Sequence, residues 1–466
     1  MESTTANRPA WIGLPLLLLA TATLASHRIV SFDIFWHLRA GEEILRTNTL
    51  PLVDPFSYTA THRWINHEWL SHVLLAVLYR ATGFAGLVAM QALLVTAIVG
   101  TMLVIVRPRT TLSYLGLAIF GGLLAIVAEP RAQLLFWLCF AGTLFLCMEE
   151  LRTPSRKIFW TVPIGILGAN LHGGNPTCVV LLGLLFLAAP SRKVGLLVGL
   201  GLLATLASPN GYWVHAHFLE NRHSLPELRE WMPFLQALAL PSIPQWSALV
   251  LGLIALFAWW RGGNFPRLRA NAHARFIVFA FLLFPGVAFR YARFSTERSF
   301  LSVLLLAYAH PAQRRPPLQS TIAGPLLASV ALATLAWLSP QPLGFGLAKS
   351  RFPEEAVAFL KRTTPPGPMF NSYNFGGYLQ WAYPDEKVFL DGRAFTVYSE
   401  ALFRDVIRLY ALPSSFRDLE RRFGFRLAVL QRHGRGANFL AWLATQPDWR
   451  IIYEDALAVV LAKPSP

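Results

Sequence analysis

The sequence predicts an α-helical membrane protein that crosses the bilayer many times and carries a small α/β domain at its C-terminal end. Of its 466 residues, 54% are hydrophobic and only 14% are charged, whereas soluble domains carry about 25% charged residues. The apolar residues are gathered in runs separated by short polar loops, and the composition becomes mixed again from residue 345 onward. An ordinary soluble enzyme is therefore excluded.

Eleven apolar runs predict about 11 transmembrane helices within a transmembrane domain over residues 1–340. Several runs are shorter than the roughly 20 residues that cross a bilayer comfortably. We interpret the first run as an uncleaved span, because the residues near Ala25 make a poor signal-peptide cleavage site and many spans follow. The runs lie at about 11–26, 84–106, 111–128, 132–148, 158–171, 175–190, 193–208, 246–260, 274–290, 297–311 and 320–339.

The net charge of +16 marks one face of the membrane rather than a nucleic-acid surface. Five short loops hold 13 Lys or Arg and only two acids, and basic loops stay in the cytoplasm. We therefore predict a bacterial inner-membrane protein with a cytoplasmic N terminus, an external or periplasmic C-terminal domain and no nucleic-acid partner. Segment 64–82 fits this orientation if it lies along the outer surface of the bilayer. The basic loops are 107–110, 149–157, 190–193, 261–275 and 312–317.

Residues 345–466 predict an external α/β domain with four helices and a few strands. Stretches with a helical period of apolar residues alternate with short runs rich in branched and aromatic residues. The last of these runs reads as a hairpin. The predicted helices cover 353–362, 399–410, 415–423 and 438–446, and the predicted strands cover 387–393, 426–432 and 449–463.

The first external loop, residues 27–83, holds the densest set of candidate chemical groups. Asp33 and His37 are four residues apart, so a helix places them on one face. This spacing suits two metal ligands, or a carboxylate that orients an imidazole. The alternative is a solvated Asp at a helix N terminus with a His nearby. Trp36 would anchor this helix at the membrane interface.

A second polar pair in the same loop is His67-Glu68. Ionisable groups at this depth are costly unless they are functional, although snorkelling of interfacial side chains is the alternative. Asp33, His37 and His67 are thus candidate ligands of a divalent metal ion. Asp54 precedes Pro55, and we interpret it as the cap of a turn rather than as a further functional carboxylate.

Polar residues recur at other external ends of the apolar runs. Each one alone is better explained as a span terminator or a lipid headgroup contact, but their shared side favours a common cavity, so they are candidate substrate ligands. In the tail, Gly376 and Gly377 predict a tight turn. Asp391 and Arg393 would lie at the mouth of a loop, or else form a structural turn with an Asp–Arg pair. The candidate substrate-binding residues are Trp36, Arg131, Asn170, His172, Arg290, Arg293, Tyr373, Asn374, Asp391 and Arg393.

Several well-known chemical motifs are absent from the sequence. There is no P-loop, no dinucleotide fingerprint, no HExxH and no GxSxG. The three cysteines lie in apolar runs, which predicts buried thiols rather than disulfides or zinc ligands. Few charged residues lie inside the predicted spans, which disfavours an ion-coupled transporter.

A single span followed by a long external loop, with an acid directly after the span, resembles the GT-C superfamily of polytopic membrane glycosyltransferases. Asp33 matches that acid. In some members a His/Lys-Pro-Pro-Leu helix follows in the loop, and here residues 66–70 (NHEWL) occupy its place without the prolines. More closely, FDIFWHLRAGEEIL, PLVDPFSYT, WINHEWL, NFGGYL and FLDGR resemble an uncharacterised group of bacterial glycosyltransferase-like membrane proteins.

The resemblance implies a glycosyltransferase that moves a sugar from a polyprenyl-phosphate donor to an acceptor glycan, lipid or protein, usually with inversion. Asp33 would be the general base or orient the acceptor hydroxyl. The leaving lipid phosphate would be neutralised by Arg131 and the Arg290–Arg298 group, or by a divalent ion on His37, His67 or Glu68. A lipid or polysaccharide transporter or flippase, and a non-catalytic assembly protein of the cell envelope, stay open as alternatives.

Overall fold

The computed structural model describes residues 10–60, 62–221, 236, 243–290, 294–309, 318–339, 341–434 and 436–464. The chain forms two compact units. The first comprises Met1–Arg28, Phe84–Tyr212 and Arg222–Gly346, and the second comprises Ile29–Gly83, Trp213–Asn221 and Leu347–Pro466. Residues 29–83, which are most of the predicted external loop, therefore group with the tail, whereas the sequence suggested that they belong to the 1–340 domain.

Helices dominate the described residues, and one four-stranded sheet accompanies them. The helices are α1 (Ala10–Ala25), α2 (Asp33–Thr47), α3 (Trp69–Val106), α4 (Thr111–Val127), α5 (Ala132–Arg152), α6 (Thr161–Leu171), α7 (Pro176–Ala188), α8 (Arg192–Ala204), α9 (Trp213–Asn221), α10 (Ile243–Arg261), α11 (Arg267–Ala270), α12 (Ala272–Arg290), α13 (Ser295–Ala309), α14 (Leu318–Leu338), α15 (Glu354–Thr363), α16 (Tyr373–Ala382), α17 (Glu400–Ala411), α18 (Phe416–Phe423) and α19 (Ala437–Ala444). The strands are β1 (Met369–Asn371), β2 (Leu427–Gln431), β3 (Arg450–Glu454) and β4 (Ala458–Ala462).

The first unit is a bundle of apolar helices, and a helix coincides with each of the eleven apolar runs. Helices satisfy their own backbone hydrogen bonds, as a chain in lipid must. Among the described residues, α3 and α5 are long and apolar enough to cross a membrane, and several other helices are apolar but shorter. The number of spans thus stays a prediction. Aromatic rings fill the core of the bundle, where Phe300 packs edge-on against Phe120 and Phe140 at centroid distances of 4.7 and 5.3 Å.

The buried thiols predicted from the sequence are confirmed: Cys139, Cys147 and Cys178 are free and buried. Each lies in an apolar helix of the first unit, so none contributes to the site described below.

Helix α3 breaks at Gly83, where the backbone has φ 65° and ψ −164°. This conformation is readily accessible only to glycine. The break separates the polar N-terminal part of the helix from the apolar run at 84–106, and it is also the boundary between the two units. The sequence placed the same boundary between segment 64–82 and the following span.

In the second unit, α2 packs against α16 through aromatic rings and close backbone approach. The Phe35 ring lies 4.8 Å from the ring of Tyr378 and 5.2 Å from that of Trp381. Gly377 faces α2 so closely that a Cβ there would lie 2.7 Å from the Phe32 carbonyl oxygen. The predicted turn at Gly376-Gly377 is therefore wrong, because these glycines are helical and permit tight packing instead.

The tail sheet has the strand order β1-β2-β4-β3. β1 pairs with β2 in parallel, and the other two pairings are antiparallel. The predicted hairpin, the strand at 426–432 and all four predicted tail helices are confirmed.

The strand predicted at 387–393 is wrong. Val388 makes only an isolated bridge, to Ser57. The Asn371 side chain accepts from the Phe389 amide at 2.7 Å and donates to the Leu390 carbonyl at 2.8 Å. Phe389 and Leu390 therefore satisfy backbone groups through an amide side chain rather than through a neighbouring strand.

Candidate functional site

The site begins at Asp33, which is the first residue of α2. A negative charge is favourable there because the N terminus of a helix carries a partial positive charge. The Trp36 indole Nε1 donates a hydrogen bond to Asp33 Oδ1 at 3.3 Å. Gly392 of the tail lies against the same carboxylate, and a Cβ there would be 2.7 Å from Asp33 Oδ1 and 3.2 Å from Trp36 Nε1. The bare backbone of Gly392 thus forms one wall around Asp33.

One turn further along α2, His37 meets Glu68, which directly precedes α3, and His72 of the first turn of α3. His37 Nδ1 lies 2.9 Å from His72 Nδ1, and a Glu68 carboxylate oxygen completes a group whose ligand atoms all lie within 4.8 Å of one another. Both histidines are buried, and Glu68 is half-buried. Among the described residues this is the one group of three His, Cys, Asp or Glu side chains at such spacing. We call it the histidine cluster.

The histidine cluster differs from the metal ligands that the sequence suggested. His37 belongs to it, whereas Asp33 contacts Trp36 and His67 lies beside the cluster, with its Nε2 3.6 Å from Glu68 Oε1. His72 was missed. The spacing of four between Glu68 and His72, at the start of a helix that is otherwise increasingly apolar, is the signal that points to it.

A second buried polar group, which we call the arginine cluster, consists of Asp54, Asp391, Arg393 and Tyr398. Arg393 donates from Nη1 and Nη2 to the two carboxylate oxygens of Asp54, at 2.6 and 3.1 Å. Its Nε and Nη2 donate to the two oxygens of Asp391, at 2.9 and 2.6 Å. The Tyr398 hydroxyl donates to Asp391 Oδ2 at 2.7 Å. All of these side chains are buried.

In the arginine cluster, opposite charges keep one another ionised despite burial. Burial alone would raise the pKa of Asp54, but the charge and hydrogen bonds of Arg393 bring that pKa below its usual value. Burial alone would lower the pKa of Arg393, but Asp391 and Asp54 hold it well above its usual value. Burial and the charge of Asp391 raise the pKa of Tyr398. Asp54 therefore stays ionised at neutral pH, whereas Arg393 and Tyr398 stay protonated.

The predicted turn cap at Asp54 is present, since its carboxylate accepts from the amides of Phe56 and Ser57 at 3.1 and 3.0 Å. Asp391 and Arg393 are not at the mouth of a loop, because their hydrogen-bonding groups are directed to partners inside the protein. Their surroundings match the alternative that the sequence left open, a structural turn with an Asp–Arg pair. Their role as substrate ligands stays a prediction.

No protein-family model matches the sequence, and no curated protein sequence matches it either. Solved structures do match. The apo form of the Archaeoglobus fulgidus oligosaccharyltransferase matches with a TM-score of 0.58 and 11% identity, over 91% of this chain and 69% of that one. The same enzyme in complex with Zn and sulfate gives 0.58 and 11%, over 93% and 70%. The arabinofuranosyltransferase AftD from Mycobacteria gives 0.55 and 14%, over 100% of this chain and 40% of that one.

The chain has a GT-C fold. The fold implied by the resemblance in the sequence is thereby confirmed, and it is consistent with a location in a membrane. At identities of 11–14%, the similarity concerns the fold alone. Within this GT-C fold, Asp33 directly follows the loop after the first apolar helix, as the sequence pattern required.

Other predicted ligands lie in the first unit. Asn170 donates to two backbone carbonyls, at 2.8 and 2.7 Å. The Nδ1 of His172 accepts from the Gly174 amide at 2.9 Å, and its ring stacks on Phe136. Arg131 is half-buried and directly precedes α5. These contacts stabilise helix ends, and any binding role for these three residues stays a prediction.

The remaining predicted ligands are only partly described. Tyr373 and Asn374 form the start of α16, and Asn374 donates to Gln431 Oε1 at 3.3 Å. Arg293 and the side chain of Arg290 lie outside the described residues.

Proposed function

We propose that this chain is a membrane glycosyltransferase that moves a sugar from a polyprenyl-phosphate donor to an acceptor on the external face of the bacterial inner membrane. The observation that carries this proposal is the geometry at Asp33. A carboxylate at a helix N terminus is oriented by the Trp36 N–H, faces the bare backbone of Gly392 and lies one turn before His37. The GT-C fold and the position of Asp33 after the first apolar helix support the same reaction.

In this reaction Asp33 acts as the general base. It accepts the proton of the acceptor hydroxyl as that oxygen bonds to the anomeric carbon of the sugar. The bond from the anomeric carbon to the phosphate oxygen breaks, and the polyprenyl phosphate leaves with the electron pair. Attack opposite the leaving group inverts the anomeric centre. The Trp36 hydrogen bond limits the rotation of the carboxylate, which keeps it aligned with the acceptor.

The leaving phosphate gains negative charge, so the site needs positive groups or directed donors. We propose Arg131, Arg290 and Arg293 for the phosphate. The remaining predicted ligands are proposed as contacts to the sugar or the acceptor; they are Asn170, His172, Tyr373 and Asn374. A divalent cation, when bound, would supply Lewis-acid stabilisation of the phosphate oxygens.

The test compares Asp33→Asn with a matched control on the same helix, Glu43→Gln. Glu43 lies ten residues after Asp33 on α2, where it accepts from Arg46 at 3.1 and 2.6 Å. Full-length protein in liposomes receives undecaprenyl-phosphate-linked pentoses or hexoses together with envelope extract from the source cells as acceptor. Released undecaprenyl phosphate is measured. We expect Asp33→Asn to reduce the release rate by about 10²–10⁴-fold, the usual contribution of a general base, and Glu43→Gln to leave it unchanged.

Release from folded Asp33→Asn protein at the wild-type rate would refute the role of Asp33. Movement of the intact sugar–lipid across the bilayer, with no bond cleavage, would instead identify the chain as a flippase.

A further inference from the structure

We infer that His37, Glu68 and His72 form a binding site for one divalent metal ion of the zinc class. Three observations lead to this site, and each concerns only residues of the second unit: the facing imidazoles, the donor set and the rigid elements that hold it.

The two imidazoles face each other through the same type of nitrogen, at 2.9 Å. Two unprotonated Nδ1 atoms repel each other at this distance, because both carry a lone pair. The arrangement therefore needs a shared proton or a cation between the rings. With zinc–nitrogen distances of about 2.0 Å, the nitrogen ligands of a tetrahedral ion lie about 3.3 Å apart, so the observed spacing requires only a small adjustment.

The donor set selects among metals. Two imidazoles and one carboxylate are the three protein ligands of many catalytic zinc sites, in which a fourth position stays open. Magnesium and calcium prefer sites made entirely of oxygen ligands. Two neutral imidazoles and one carboxylate leave a net charge of −1, which favours a divalent cation.

The supporting elements fix the ligands. His37 lies on α2 beside Trp36, whose ring stacks on the imidazole at a centroid distance of 3.7 Å. Glu68 and His72 are one turn apart, and the His72 amide donates to the Glu68 carbonyl at 3.1 Å. The nearby positive charge of Arg393 is neutralised by two carboxylates. Ligands that lie on helices, or whose rings stack on a neighbouring ring, keep their geometry without the metal.

Metal binding by these residues does not depend on the reaction, whereas a role of the metal in sugar transfer rests on the proposed function. The two ideas can therefore fail separately.

The experiment uses full-length protein in detergent, with the purification tag removed. After dialysis against zinc and then against metal-free buffer, bound zinc is counted by elemental analysis, and zinc, magnesium and calcium affinities are measured by calorimetry. The ligand variants are His37→Ala, Glu68→Gln and His72→Ala. His67→Ala tests the ligand suggested by the sequence, and His433→Ala, on the exposed surface of the tail, controls for non-specific binding by histidine.

We expect one zinc ion per chain and a preference for zinc over magnesium and calcium. Removing His37 or His72 should weaken zinc binding by more than about 100-fold, since even supporting residues cost 10–100-fold. His433→Ala should bind zinc like the wild type, and His67→Ala, which removes only a contact to Glu68, should weaken binding by no more than the roughly 10–100-fold of a supporting residue. The site would be refuted if the wild type bound no zinc, or if the His37→Ala and His72→Ala proteins bound zinc as tightly as the wild type. Zinc binding without sugar transfer would leave the site intact and refute the proposed function instead.

Discussion

The histidine cluster and the arginine cluster lie in the same unit, are both largely buried, and differ in how their charges are balanced. In the arginine cluster, one guanidinium is paired with two carboxylates, and a tyrosine hydroxyl completes the network. In the histidine cluster, two imidazoles and one carboxylate bring their potential ligand atoms within 4.8 Å of one another. A fully satisfied buried network rigidifies a fold, whereas two imidazoles and one carboxylate are the protein ligands of many zinc sites. The first therefore stabilises the unit, and the second is suited to bind.

The largest expected effect comes from breaking the arginine cluster. Arg393→Leu leaves two buried carboxylates without their partner, and we expect the free energy of unfolding to fall by about 3–5 kcal/mol. Equilibrium denaturation in detergent, followed by tryptophan fluorescence, measures the change. Arg404→Leu is the control, because Arg404 is exposed and pairs only with Glu400 one turn away, an arrangement that contributes about 0.3–0.5 kcal/mol. Equal losses in the two variants would show that the arginine cluster does not stabilise the fold.

A substitution at Gly392 tests the reaction site while leaving the fold intact. A Cβ at Gly392 meets the end of the Asp33 side chain, which can move, so Gly392→Ala should fold and displace the carboxylate. We expect transfer to fall by about 10–100-fold, since a displacement near 1 Å can cost that much. The assay is the release of undecaprenyl phosphate.

Two other glycines of the tail provide controls for Gly392→Ala, one neutral and one destabilising. At Gly436 a Cβ would meet only a Tyr410 ring carbon at 3.7 Å, so Gly436→Ala should be neutral. At Gly376 a Cβ would overlap the Leu390 carbonyl oxygen, so Gly376→Ala should destabilise the fold itself. Unchanged transfer in Gly392→Ala would show that the Gly392 backbone does not shape the site.

The smallest expected effect is the pH dependence contributed by Asp54. Its pKa in the folded protein is lowered, so its stabilisation is complete above the unfolded-state pKa of about 3.9. That stabilisation is lost as the pH falls through the lower folded-state pKa. The difference in unfolding free energy between wild type and Asp54→Asn should thus be constant from pH 8 to about pH 5 and shrink below about pH 4. A difference that persists undiminished to about pH 2 would contradict the lowered pKa.

Local patterns in the sequence were sufficient to predict most elements of the fold. The apolar runs marked the helices of the first unit, the spacing of Asp33 and His37 predicted α2, and the tail helices and hairpin followed from periodicity. The prediction of a strand at 387–393 was wrong because the side chain of Asn371, which lies outside this segment, satisfies the backbone groups of Phe389 and Leu390.

The site was less predictable because its contacts join distant segments. Asp54 and Arg393 are 339 residues apart, and no local pattern pairs them. The role of Gly392 depends on its approach to Asp33, which sequence alone does not reveal. His72 was hidden because it lies in a helix whose apolar residues suggested only an interfacial position.

The most direct test of the account follows both products of the reaction together. Sugar transferred to the acceptor and polyprenyl phosphate released are counted in the same vesicles, and the anomeric configuration of the product is determined by NMR. We predict one polyprenyl phosphate released for each sugar transferred, an inverted anomeric centre, and neither product from Asp33→Asn. Intact sugar–lipid that reaches the opposite leaflet with no released phosphate would contradict the account.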